Sequence, residues 1–334
     1  MVPKNRIYIY SLCDIFYDSY YYKGLKEFYN YKIIFSKKKF PDFEQGTFAV
    51  IIIKNGKQKK IIIDSRDQFD ILENQLKWCD IYGKVNYRTS EINLDIQNKV
   101  IPISPSFGIN IWNKKQTIFY GISNYFKSFG RLKFHKRFFA NYKEQLKRPK
   151  IEDYNNTNKS KNNYIFFAGT TWKFEQQTNL YRALFIKVCR KLSFIDFEGG
   201  LTPRNDKFDA GFKEFEVSKR YSIDEYFEKL KDSMVVFNTP AVLKCHVWKL
   251  GEFFALGKAI ISTPHINEFP SEIIHNTHMI IIDENNIEDE FEIAIEKLST
   301  NESFRFELES NAKKYFDEYL APKSVIRILD SKLF

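Results

Sequence analysis

His246, Lys249 and Glu252 follow one another at three-residue intervals inside the stretch VVFNTPAVLKCHVWKLGEFFALGKAIISTP, residues 235–264. On a helix, groups three apart share a face, so an ammonium, an imidazole and a carboxylate can converge there on one ligand. The free N–H groups of a helix N-terminus favour negative charge, and Lys249 adds a full positive charge one turn in. That combination suits a phosphate. The same spacing also fits an exposed intrahelical ion pair, which would do no chemistry.

The elements that must hold these residues can be read from the same stretch. Val235 to Phe237 and Ala259 to Ile261 are short apolar runs bounded by turn residues, as expected of strands buried on both faces. Between them lie a polar loop and a helix whose core stripe is Val247, Leu250, Phe253, Phe254 and Gly257. Strand, helix and strand in this order predict a parallel α/β unit. In such a sheet the loops 238–244 and 262–268, leaving the carboxyl ends of the strands, line the ligand crevice. The segment WKLGEFFALGKAIIST resembles the nucleotide-binding half of glycosyltransferases of the two-Rossmann-domain class, GT-B. The resemblance implies two Rossmann-like domains facing each other across a cleft, with Glu252 on the ribose hydroxyls of a sugar nucleotide and Lys249 near its diphosphate. Retaining members often carry a second glutamate eight residues before the first. Here that position is Lys244, which favours an inverting mechanism.

A second α/β unit of the same half opens at YIFFAGTTWK, where an apolar run turns into Gly169, Thr170 and Thr171 ahead of a helix over 179–191. Thr170, Thr171 and Arg182 are further donor-site candidates, as is His246. In the first half, a strand at Ile7 to Tyr10 leads into the loop LCDIFYDSYYYKG, which places Asp14 and Asp18 at a crevice. Asp64 ends a later strand, as a base or as the N-cap of a helix over 72–78. These three carboxylates are the candidates for the base that inversion needs, Asp18 being preferred. Tyr21, in the run Tyr20 to Tyr22, either stacks on an acceptor sugar or covers a core. KVNY (84–87) and PSFG (105–108) are similar to segments in the acceptor halves of some bacterial glycosyltransferases, which implies that Lys84 and Asn86 border the acceptor cleft.

The chain of 334 residues has a net charge of +10 that is unevenly spread. Residues 1–150 hold 28 Lys and Arg against 13 Asp and Glu, and the remainder 24 against 29. An anionic partner is therefore expected for the first half. The expected domains are 1–150, a linker 151–163, a nucleotide-sugar domain 164–318, and a C-terminal helix 319–334 that returns to the first domain. Residues 126–150 read as a basic amphipathic helix suited to an anionic membrane interface, or as a helix whose aromatic stripe packs on the core. Four scattered cysteines without metal spacing, no D-x-D motif at a strand end, no spanning apolar run and no signal-peptide pattern lead to three expectations. The chain should need no metal or other cofactor, be cytoplasmic, and at most lie peripherally on the inner face of the membrane. The expected function is transfer of a sugar from a nucleotide-sugar to a glycan or lipid-linked acceptor in surface polysaccharide biosynthesis. The rival readings are a sugar-nucleotide epimerase of the same fold, and a binder of nucleic acid or acidic glycan. No nucleic-acid recognition motif supports the nucleic-acid case.

Overall fold

A computed structural model describes residues 5–43, 46–155, 160–206 and 208–333. The chain forms two compact units. The first comprises the chain up to Asp153, the segment Asn267–Ser271 and the chain from Glu318, and the second comprises Tyr154–Ile266 and Glu272–Asp317.

The first unit is built on β1 (Arg6–Tyr10), α1 (Ile15–Tyr29), β2 (Lys32–Ser36), β3 (Thr47–Lys54), β4 (Lys57–Asp64), α2 (Glu73–Trp78), β5 (Ile81–Lys84) and β6 (Val100–Pro102), followed by the helices α3 (Lys114–Ser128) and α4 (His135–Gln145). The strands form one sheet in the order β2-β1-β3-β4-β5-β6. Only β3 runs against its neighbours. It is tied to β4 by the turn Asn55-Gly56, whose φ angles of 51° and 79° are those of the tight hairpin that this dipeptide favours. The expected loop after β1 is largely helix: Asp14 is the N-cap of α1, its carboxylate accepting from the Phe16 N–H. The C-terminal helix belongs to this unit, where it packs on α1.

The second unit contains β7 (Tyr164–Thr170), α5 (Gln176–Lys191), β8 (Asp196–Thr202), α6 (Ile223–Asp232), β9 (Val235–Asn238), α7 (Trp248–Ala255), β10 (Ala259–Ser262), β11 (Ile280–Ile281), α8 (Ile287–Thr300) and α9 (Glu302–Tyr315), and the C-terminal helix α10 (Pro322–Ser331) then completes the first unit. All strand pairs here are parallel. β7 and β9 lie side by side through a sparse seam. The Met234 N–H donates to the Tyr164 carbonyl at 2.7 Å, and the Lys161 N–H to that of Asp232 at 2.8 Å. Ser233 supplies a rung from its side chain, accepting from the Phe166 N–H at 2.9 Å and donating to the Val235 carbonyl at 2.6 Å. With β8 outside β7 and β10 outside β9, the connections diverge to opposite sides of this seam. Gly199 and Gly200 lie inside β8, and position 199 requires glycine because a Cβ there would stand 1.9 Å from the Phe167 carbonyl oxygen.

The linker expectation needs one correction. Tyr154 is only 1% exposed and belongs to the second unit, its ring packing edge-on against Phe227. Residues 156–159 of that segment lie outside the described residues.

Candidate functional site

In the second unit a pocket of about 160 Å³ opens beyond the carboxyl ends of β7 and β9, where the connections diverge. Its wall includes Gly169 and Thr170 from β7, Asn238 and Thr239 after β9, Arg182 from α5 and Lys249 from α7. The volume suits the phosphate end of a ligand. Two cations are aimed at the seam. The Lys249 Nζ donates to the Ala168 carbonyl at 2.5 Å, and the Arg182 Nη1 to the Thr170 carbonyl at 2.5 Å. The Lys249 ammonium also lies over the Tyr226 ring, 5.1 Å from its centre. Burial, reinforced by the Arg182 charge and opposed by Glu252, brings the Lys249 pKa down to about 8. Burial alone lowers Arg182 to about 10. Two cations that burial makes costly to keep charged are well prepared to gain from an anion.

Glu252 lies one turn along α7 from Lys249 and does not line this pocket. It is buried, and its carboxylate accepts a hydrogen bond from the Tyr154 hydroxyl at 3.0 Å. His246 is also buried, with its ring 5.2 Å from that of His265. Behind the pocket wall, the Asn238 amide donates to Ser262 Oγ at 2.8 Å, and His265 Nε2 is 2.9 Å from the same oxygen. The Thr263 hydroxyl donates to that of Thr239 at 3.0 Å. These bonds fix the two loops that leave β9 and β10. Thr170 is exposed and donates to the Thr202 carbonyl at 3.1 Å. Thr171 is buried behind it, and its carbonyl accepts from Arg204. The pocket thus gathers Lys249, Arg182 and Thr170 from the sequence candidates, while Glu252, His246 and Thr171 stand outside its wall. Tyr226 and Tyr154 carry no local signal that could have marked them, since each acts on a residue far away in the chain.

The first unit has a larger pocket, about 560 Å³, beside the carboxyl end of β1 and lined by Tyr10, Asp14, Asp42, Arg131, Arg137 and Asn141 among others. Asp14 accepts from the Asn141 amide at 2.8 Å and pairs with Arg137 at 3.6 Å, yet burial still raises its pKa. The other first-half candidates need correction. Asp18 lies inside α1 and is only 4% exposed, with its pKa well above the ordinary range through burial and the Asp14 charge. It is absent from the pocket wall. Asp64 is fully enclosed and accepts from the Tyr82 hydroxyl at 2.6 Å, Lys84 Nζ at 2.9 Å and Arg66 Nη2 at 2.9 Å. A carboxylate so occupied has little capacity to take a proton, and it caps no helix, since Leu72 stands at the start of α2. Lys84 is equally enclosed and also donates to the Gln68 carbonyl at 2.6 Å. Asn86 donates to the Arg66 carbonyl and accepts from Asn267, which ties down the segment Asn267–Ser271. Tyr21 is a core residue packed on Phe48, and Tyr20 and Tyr22 are buried with it.

Among the described residues, no group of three His, Cys, Asp or Glu side chains is placed to hold a metal ion. No described helix is long and apolar enough to cross a membrane.

No family model matches the chain, and no curated protein matches it. Solved structures similar to it include a glycosyltransferase from Rickettsia africae, at 12% identity and a TM-score of 0.44, covering 95% of this chain and 80% of that one. Another is a mutant of S. aureus TarM in complex with Fondaparinux, alpha-GlcNAc-glycerol and UDP, at 13% identity and a TM-score of 0.44, covering 85% and 61%. A third is the C-terminal domain of a group 1 family glycosyl transferase, LpcC, from Francisella tularensis, at 15% identity and a TM-score of 0.31, covering 47% and 85%. Against a further TarM structure the chain spans about half of that protein, 48%. The two α/β units and their strand orders, rather than overlays this loose, are what agree with the expected architecture.

Proposed function

We propose that the chain is a glycosyltransferase that binds the diphosphate of a nucleotide-sugar at the Lys249–Arg182 pocket and transfers the sugar to a glycan or lipid-linked acceptor. The observation that carries this reading is the pair of cations, Lys249 and Arg182, held at the carboxyl ends of β7 and β9 beside the backbone of Gly169 and Thr170. Negative charge develops on the diphosphate as its bond to the anomeric carbon breaks, and cations already fixed in place stabilise that charge. Lys249 and Arg182 supply it from side chains, so the reading is metal-independent. The acceptor oxygen bonds to the anomeric carbon as the electron pair of the broken bond stays with the diphosphate, and the acceptor's proton passes to a carboxylate. Asp14 takes that role here, because it alone of the three carboxylate candidates lines a pocket, and its raised pKa makes it a better base. With no glutamate at position 244, the transfer is inverting. Glu252, bonded to Tyr154 outside the pocket wall, is assigned to the nucleoside on the resemblance alone.

The test is release of nucleoside diphosphate from a panel of nucleotide-sugars in a chelator-containing buffer. Turnover by the wild type, lost in Asp14→Asn while nucleotide binding persists, is the expected result. Turnover that needs added metal, or interconversion of the sugar without release of the nucleotide, would overturn it, the latter in favour of an epimerase.

A further inference from the structure

The segment 126–150 is not one amphipathic helix. Ser128 ends α3, Gly130 takes the left-handed φ of 87°, and α4 starts at His135. The aromatic stripe expected on that helix is divided: Phe138 and Tyr142 are buried, whereas Phe134 and Phe139 remain exposed.

The unusual face belongs to α3. Its buried residues are Thr117, Gly121, Asn124 and Ser128, all small or polar. They are held by specific contacts: the Asn124 amide donates to the buried Tyr142 hydroxyl at 2.9 Å, and Ser128 Oγ to Ser11 Oγ at 2.9 Å. The outward face carries Ile118, Phe119, Ile122 and Phe126, each half exposed or more, with Phe126 at 69%. At about 100° per residue these four lie within roughly 100° of arc, a single stripe. A surface helix of a water-soluble protein buries its apolar stripe and shows its polar one. Here the order is reversed. Phe129 and Phe134, both mostly exposed, extend the apolar surface beyond the end of the helix.

Within the segment that carries this surface the charges are of one sign. From Lys114 to Lys143 the chain holds eight Lys and Arg and no Asp or Glu. Lys114, Lys115, Lys127, Lys133, Lys136, Arg137 and Lys143 are all exposed. Arg137 is paired with Asp14 at 3.6 Å, yet an apolar stripe edged mainly by cations is complementary to a surface that is apolar within and anionic at its rim.

We infer that the outward face of α3 is a docking surface for an anionic lipid bilayer, with Ile118, Phe119, Ile122 and Phe126 seated among the acyl chains and the flanking lysines on the headgroups. The inference is independent of the donor pocket. It assigns the contact to α3 and not to the aromatic face of α4, half of which is core.

Flotation of the whole protein with phosphatidylcholine vesicles, with and without phosphatidylglycerol, tests it. The wild type should float with the anionic vesicles and not with the neutral ones, less so at high salt. A Phe119→Ser, Phe126→Ser double variant should lose about tenfold in vesicle affinity at an unchanged melting temperature, because both side chains are already exposed. Lys114→Glu, Lys115→Glu should weaken binding while keeping the stripe. Equal binding to both vesicle types, no binding by the wild type, or undiminished binding by the phenylalanine variant would overturn the inference. So would a concentration-dependent dimer of the wild type that the same variant abolishes without any vesicle binding, since the stripe would then be covered by a second copy of the chain.

Discussion

The ammonium of Lys249 is held by the carbonyl oxygen of Ala168, 2.5 Å away at the carboxyl end of β7. Residues 81 apart in sequence thus set a cation at the seam where the connections of the second unit diverge. Carbonyl dipoles and the Tyr226 ring orient this charge, while burial lowers its pKa to about 8. Such a charge gains more from an incoming anion than one in open solvent does.

Nucleotide affinity should therefore depend on pH in a set direction. Lys249 is charged below about pH 8 and neutral above it. Calorimetric titration should show affinity for a nucleoside diphosphate falling as pH rises from 7 to 9, and the fall should vanish in Lys249→Arg.

The unliganded protein should show the opposite trend from its buried lysines. Lys258 is also brought down to about 8, chiefly by burial, from an ordinary value of 10.5. Between those two values the unfolded chain binds more protons than the folded one, so stability contributed by Lys258 rises with pH through that window. Urea denaturation at pH 7.5 and 9 should show a smaller rise in Lys258→Met than in the wild type.

Asp18 gives the reverse sign on the acid side. Its folded pKa is raised, so the folded state holds the proton longer and stability from this group falls as pH rises above the unfolded value near 4. Asp18→Asn should melt higher than the wild type at pH 7, with the gain shrinking toward pH 4. A loss of transferase activity without that gain would restore Asp18 as a base.

Lys84 separates a structural role from an acceptor role. It is enclosed with Asp64 at 2.9 Å, and removing one partner of such a pair costs about 3–5 kcal/mol. Lys84→Met should lower the urea midpoint strongly and leave nucleotide affinity per folded molecule unchanged. A well-folded variant with raised acceptor KM would contradict this assignment.

The parts of the molecule that local chemistry determines were legible in the sequence. Asn55-Gly56 marked the hairpin, Ser222 with Glu225 capped α6 as the SIDE pattern implies, and the apolar runs flanking α7 became β9 and β10. What stayed hidden depends on distant partners. Asp64 at a strand's end looks like a base until Tyr82 and Lys84 close on it from β5. Tyr154 sits among polar residues and looks like linker until Phe227 and Glu252 bury it. Periodicity likewise joined α3's last turn to α4, because a wheel drawn through Gly130 cannot show that its backbone turns left-handed there.

Diphosphate binding at Lys249 and Arg182 can be measured with a thermal-shift panel of UDP, GDP, CMP and dTDP, without metal, on the wild type, Lys249→Ala, Arg182→Ala and Glu252→Ala. A ligand at a hundredfold excess over its Kd stabilises the native state by about 2.7 kcal/mol. One diphosphate should raise the wild-type midpoint, and the shift should be lost in Lys249→Ala and Arg182→Ala while both remain folded. A wild type that responds to none of the four, or a full response in both cation variants, would contradict binding at this pair.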